Sequence, residues 1–201
     1  EMLKLLTYLT LRKYDSLYTP CLYSFRPGIC AKDAIASITR NKNLHQLYSY
    51  KIDVSNYFNS IPVDKLNDLL DETITDDDKL LTFMKALLSE EKVLSGNDII
   101  IEQKGIMAGT PIASFYANLY LRSLDEYFHE RGILYARYSD DIIVFAKTET
   151  EITEYKNVIL DHLASKGLTV NPDKEVLSAP EDGFTFLGIE VRNGDIDIAP
   201  A

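Results

Sequence analysis

The chain has little cysteine, no tryptophan and no long apolar run. Its 201 residues hold two cysteines, Cys21 and Cys30, too few for a disulfide framework or a four-cysteine zinc site. Both suit a reducing compartment and read as small buried side chains. No stretch approaches the ~18 consecutive apolar residues of a membrane span. The N-terminus lacks the basic-then-apolar pattern of a secretory signal, so a cytoplasmic protein without membrane contact is expected. Hydrophobic residues make up 46%, enough for a buried core, and the composition excludes collagen-like, disordered and low-complexity classes. Positive charge is also scarce: 21 Lys and Arg stand against 31 Asp and Glu, a net charge of −10. Taken alone, that argues against a nucleic-acid binder, whose footprint is usually basic. A site for divalent metals must itself be acidic, however, and a basic groove can sit on an acidic whole.

Periodicity supplies the elements. Leu3, Leu5, Leu6, Leu9 and Leu11 recur at helical spacing, and a second helix is expected over 31–40. Residues 48–54 alternate and are β-prone, which predicts a strand. Pro62 suits the start of a helix over 63–70, and Asp76, Asp77 and Asp78 favour the N-terminus of another over 79–88. Ser95-Gly96-Asn97-Asp98 reads as a turn between short strands, 92–94 and 99–102. A long apolar helix is expected over 112–131, stopped by Gly132. Two apolar strands follow, 134–138 and 142–146, with Ser139-Asp140-Asp141 alone between them. A helix over 149–166 ends at Gly167, and short strands are expected at 175–177, 184–191 and 196–198, the last two joined by Asn193-Gly194.

Three acidic residues sit where acids are costly. Asp53 lies in an apolar strand, and Asp140 and Asp141 lie at the tip of an apolar hairpin, although Asp is a poor strand former. Adjacent carboxylates repel at a half-buried site unless a cation offsets them. If the two strands are neighbours, three carboxylates converge into an all-oxygen site suited to Mg²⁺. Two such ions ~4 Å apart can activate a 3′-hydroxyl and stabilise a leaving pyrophosphate. The plainer alternative is Asp used for turn chemistry beside one solvated strand Asp.

Six segments in order carry a resemblance. They are Ser24-Phe25-Arg26-Pro27-Gly28, Asp53 through Ile61, Gly105 through Asp125, Tyr138-Ser139-Asp140-Asp141, Gly167 through Lys174, and Phe186-Leu187-Gly188. Together they resemble the bacterial reverse transcriptase family, which includes group II intron, retron, diversity-generating and phage-defence enzymes. The resemblance implies an α+β fold: a βαββαβ palm with an antiparallel, ferredoxin-like sheet backed by helices. Residues 48–201 would form the palm, with strand 184–191 as its last strand, and residues 1–47 a partial, mostly helical fingers region. The first fingers hairpin and the thumb would lie outside the chain, supplied by a further domain or protein.

The resemblance also implies an RNA-directed DNA polymerase that adds dNTPs to a DNA primer on an RNA template, using two Mg²⁺ ions or Mn²⁺ in their place. Asp53, Asp140 and Asp141 would be catalytic metal ligands, with Val54 beside them at both metal and nucleotide. Lys174 would act near the leaving group. Arg26, Phe58, Ala108 and Gly109 would contact the nucleotide, with Arg26 on the triphosphate and Phe58 under the sugar, where it blocks a 2′-hydroxyl. Tyr138, Leu187 and Gly188 would contact primer and template. The plainer alternatives are a core Phe58, a solvated Arg26 and a surface Lys174. One departure stands out: Met107-Ala108-Gly109 falls where the family has Pro-Gln-Gly, so Ala108 replaces a glutamine. That fits the divergent, defence-associated branches better than mobile introns. It keeps open a protein-primed or template-independent DNA polymerase, beside a palm retained as a non-catalytic scaffold. Nucleotidyl cyclases share the palm but carry a Gly-Gly-Asp/Glu hairpin, which this chain lacks.

Overall fold

The computed structural model describes residues 1–90, 92–95, 98–101, 105–106, 110–192 and 195–199. In chain order the elements are α1 (Met2–Lys13), α2 (Ala31–Thr39), β1 (Tyr48–Asp53), α3 (Tyr57–Ser60), α4 (Val63–Thr73), α5 (Asp78–Leu88), β2 (Lys92–Ser95) and β3 (Asp98–Ile101). They continue with α6 (Ala113–Tyr120), α7 (Arg122–Glu130), β4 (Tyr135–Tyr138), β5 (Asp141–Ala146), α8 (Glu149–Ser165), β6 (Val176–Ser178), β7 (Phe184–Phe186), β8 (Ile189–Arg192) and β9 (Asp195–Ile198).

The central sheet runs β4-β5-β1-β6 with every neighbour antiparallel, the strand order of a split-βαβ fold. α7 and α2 pack on β4, and α8 packs on β5 and β1. β5 explains its own apolar run. Ile142, Val144 and Ala146 enter one core with β1 and the long helices, while Ile143 and Phe145 enter a second with α2, Phe186 and Val191. A strand covered on both faces has no polar side to alternate. The edge at β4 is closed by residues 21–23, where Arg137 N–H donates to Cys21 O and Tyr23 N–H to Arg137 O, both at 2.9 Å.

Several sequence expectations are corrected. The sheet's fourth strand is β6, not 184–191, which instead makes a separate three-stranded sheet β7-β8-β9. Residues 184–191 are not one strand. Leu187 (φ 50°) and Gly188 (φ 78°) form the turn between β7 and β8, and two successive positive φ values give the twist that a two-residue hairpin requires. The helix expected over 112–131 is two helices broken at Leu121 (φ −102°, ψ 10°). Neither cysteine is buried: Cys21 is half-buried and Cys30 exposed. The Asn193-Gly194 turn and the centre of the Ser95–Asp98 turn lie outside the described residues.

Candidate active site

Register brings the acids together. β1 and β5 pair so that Asp53 and Asp141 are direct partners. Val54 N–H donates to Asp140 O at 3.1 Å, which makes Val54 and Asp140 the bonded pair. Asp53 and Asp141 then form the closer, non-bonded pair, with Cα atoms ~4.5 Å apart and side chains on one face. Directly opposed like charges destabilise a sheet, so this pairing needs an offset. Asp53 is 8% exposed, and its Oδ2 accepts from Lys174 Nζ at 2.8 Å. Lys51, on the same strand face, brings Nζ to 3.9 Å from Asp141 Oδ1. The Asn171 amide, donating to Asp53 O at 2.9 Å, anchors the loop that delivers Lys174.

Burial pushes the Asp141 carboxyl above its usual range; Lys51 opposes the shift, and the Asp140 and Asp53 charges add to it. A carboxyl whose folded pKa is raised binds its proton more tightly in the folded state. It therefore supports folding below its unfolded pKa, and that support is lost as pH rises through the folded value. At neutral pH the Asp141 charge opposes folding. Asp141→Asn should raise the melting temperature by a few degrees at pH 7, and the gain should vanish at pH 3, where both side chains are neutral. Melting curves of both proteins at the two pH values, without divalent ions, test this.

The donor set is all oxygen and carries excess negative charge, which fits Mg²⁺ or Mn²⁺ in kind. Among the described residues, no three His, Cys, Asp or Glu side chains already surround one metal position. An ion held here would have the carboxylates turn toward one position and would compete with Lys174 for Asp53 Oδ2.

The other candidates fall around this point. Phe58 is half-buried, edge-on to Tyr57 (centroids 5.8 Å apart) and to Phe25 (6.4 Å). Phe25 was not anticipated; it is 40% exposed and held at φ 53°, a conformation that sequence does not announce. Gly105 lies against α3, where a Cβ would stand 2.4 Å from Asn59 Cα, and Ile106 N–H donates to Phe58 O at 2.9 Å. The segment carrying Ala108 and Gly109 thus starts beside Phe58, but those two residues lie outside the described set. Tyr138 is half-buried beside the second core, and Leu187 and Gly188 sit at the β7–β8 turn.

Arg26 is placed differently from the sequence expectation. Its Nε and Nη2 fork onto Asp15 at 2.9 and 3.1 Å, and Nη1 donates to the carbonyls of Thr19 and Leu22. With its side chain 9% exposed, it clamps the loop before α2, and few donors remain for a phosphate.

Sequence reasoning also missed a buried group behind the acids. Arg137, fully buried, forks onto Asp125 through Nε and Nη2 at 2.8 and 2.6 Å. The signal was available. On strand 134–138, Arg137 is a lone charge that shares a face with Tyr135 in an otherwise apolar stretch.

Comparison with known proteins follows the same outline. A family model described as reverse transcriptase (RNA-dependent DNA polymerase) matches residues 2–191. The Retron Ec86 reverse transcriptase of Escherichia coli is 27% identical over 45% of the chain. An uncharacterized 91 kDa protein in a cob intron of Schizosaccharomyces pombe is 25% identical over 90% of it. The chain spans 29% of the length of each of these relatives. Among solved structures, apo telomerase from Candida tropicalis superposes with a TM-score of 0.75 at 15% identity, covering 98% of this chain and 39% of that one. At that identity the likeness is one of fold.

Proposed function

The chain belongs to the reverse transcriptase (RNA-dependent DNA polymerase) family, and from that premise we propose that it carries the active centre of an RNA-directed DNA polymerase. The substrates are dNTPs and a DNA primer paired to an RNA template. The observation that carries this reading is the register that sets Asp53 opposite Asp141, with Asp140 in the adjoining turn. In this reading residues 48–201 are palm and residues 1–47 partial fingers, although Tyr14, Tyr18 and Leu22 share a core with the sheet.

Asp53, Asp140 and Asp141, with Val54 beside them, would hold two Mg²⁺ ions. Bound there, the ions supply charge to lower the pKa of the primer 3′-hydroxyl and to offset the leaving pyrophosphate. The residues do the rest. Asp53 and Asp141 converge from two strands and would set where the cations, and through them the triphosphate, lie. Lys174, whose Nζ lies 2.8 Å from Asp53 Oδ2, would supply an ammonium beside the leaving pyrophosphate. Tyr138, Leu187 and Gly188 are assigned to the primer and template side. Arg26 is not assigned to the triphosphate, because Asp15 holds it.

Phe58 is assigned to sugar selection. A ring that fills the space of a 2′-hydroxyl excludes the wrong substrate by packing, so its removal should help NTP more than it harms dNTP. Phe58→Val should raise NTP incorporation ~10-fold relative to dNTP, about 1.4 kcal/mol of discrimination. The measurement is the ratio of kcat/KM for the two substrates on one primer-template. If both rates fall together at a constant ratio, Phe58 is a core residue.

The polymerase reading is tested by primer extension with the full-length protein. RNA and DNA templates, a no-template lane, and separate dNTP and NTP pools are needed. Extension by dNTP on RNA is expected. Extension without template would move the assignment to an untemplated polymerase, and no incorporation in any lane would overturn it.

A further inference from the structure

We propose that Arg137, with Asp125 behind it, is a positioning residue: it holds the Ser139 peptide so that Asp140 and Asp141 meet Asp53, without touching a reacting group. This rests on the polymerase reading of the three acids.

Alternation on β4 sends neighbours to opposite faces. Tyr138 pairs with Asp141 and shares its face; Arg137 points beneath the sheet, toward the helices. The turn above it is strained. Ser139 has φ 61°, uncommon for a residue other than glycine, and such a conformation persists only when its surroundings impose it. Here both backbone polar groups of the residue are captured from inside the protein. Ser139 N–H donates to Ser24 Oγ at 2.8 Å, and Ser139 O accepts from Arg137 Nη1 at 3.2 Å. Ser139 is 6% exposed, so water has little access.

The captors are themselves fixed. Ser24 Oγ donates to Asn118 Oδ1 at 3.0 Å, and Asn118 Nδ2 returns a bond to Ser24 O at 2.8 Å. Asp125 Oδ1 also accepts from Tyr135 Oη at 2.9 Å. The break at Leu121 has a use here. Asn118 lies in the last turn of α6, whose carbonyls lack helical partners, and its O accepts from Arg137 Nη2 at 3.0 Å. One side chain thus joins α6, α7 and the carbonyl of the turn.

Stability alone is a weak reason for such a pair, because apolar residues of similar volume often replace buried ion pairs without loss. Position is a stronger one. Two groups that must meet across strands lose rate steeply when displaced by ~1 Å.

The test exchanges the whole polar group, Arg137→Met with Asp125→Leu and Tyr135→Phe, in the full-length protein, so that no buried charge is stranded. Three quantities are read: melting temperature, kcat and KM for dNTP on one primer-template, and Mn²⁺ affinity by calorimetry. The expected result is a folded protein with KM within ~3-fold of wild type, kcat lowered ~30-fold or more, and Mn²⁺ affinity lowered ~5-fold. A folded variant with unchanged kcat and Mn²⁺ affinity overturns the proposal. Should the triple variant fail to fold, Ser24→Ala loosens the same peptide from its other side. A ~5-fold fall in kcat at constant KM supports the proposal, and an unchanged kcat overturns it. A wild type that binds Mn²⁺ but incorporates nothing removes the polymerase reading and leaves the Mn²⁺ comparison to decide this one. A wild type that binds no Mn²⁺ overturns both.

Discussion

Asp53→Asn is expected to lower nucleotide incorporation by ~10³-fold or more, at least ~4 kcal/mol of transition-state stabilisation, while the protein melts near the wild-type temperature. The activity follows from charge. An amide keeps the size and one oxygen of the carboxylate but loses the negative charge that holds a cation, so the loss falls on the chemical step. The stability follows from opposed contributions. The substitution relieves the repulsion between Asp53 and its partner Asp141 and weakens the bond from Lys174, whose side chain is 55% exposed and so contributes little. Single-turnover incorporation beside a melting curve is the check. A variant with activity within ~10-fold of wild type would falsify the assignment of Asp53 as a metal ligand. A variant that loses activity and fold together would make Asp53 a structural residue.

The largest loss of stability is expected at a residue outside that cluster. Asp125→Ala should cost about 3–5 kcal/mol, because it leaves the Arg137 guanidinium charged and without its carboxylate at 0% exposure. Tyr135 Oη loses its acceptor in the same stroke. For a chain of this size the melting temperature should fall by about 10 °C or more. The contrast is Asp71→Ala, which breaks an ion pair with Lys85 whose partners are 50% and 35% exposed and should cost ~0.5 kcal/mol or less. Urea denaturation of the two variants separates these cases. Equal losses would show that burial does not set the strength of the Arg137 pair.

The legible parts of the fold were those where local chemistry agreed with the final packing. Tyr48–Asp53 alternates because β1 turns Tyr50 and Ile52 into the main core. Asp77 caps α5 by accepting from Leu80 N–H at 2.9 Å, as the run of acids there foretold. Gly132 and Gly167 close their helices with positive φ. The acids at 53, 140 and 141 were legible because carboxylates are rare where apolar strands are expected. What stayed hidden was imposed from a distance. Nothing in Tyr120-Leu121-Arg122 breaks a helix; the break is held by Tyr120 Oη on Lys166 O at 2.6 Å and by Arg137 on Asn118 O. Leu187 carries a conformation usually left to glycine or asparagine, so the 184–191 stretch reads as one strand. Arg26 reads as free for phosphate because its partner, Asp15, lies eleven residues earlier in a loop without periodicity.

The place of β1 in the sheet has a kinetic consequence. β1 is the first strand of the sheet to be synthesised, yet it lies between β5 and β6. One edge waits for residues 141–146 and the other for residues 176–178, and the Lys174–Asp53 contact spans 121 positions. Contacts so distant give nothing back until a long loop has closed. On a ribosome, Tyr48–Asp53 therefore remains unpaired until residues 141–146 have emerged, the condition in which strands find wrong partners. The Lys174 contact with Asp53 can form only after β5 and α8 have both emerged.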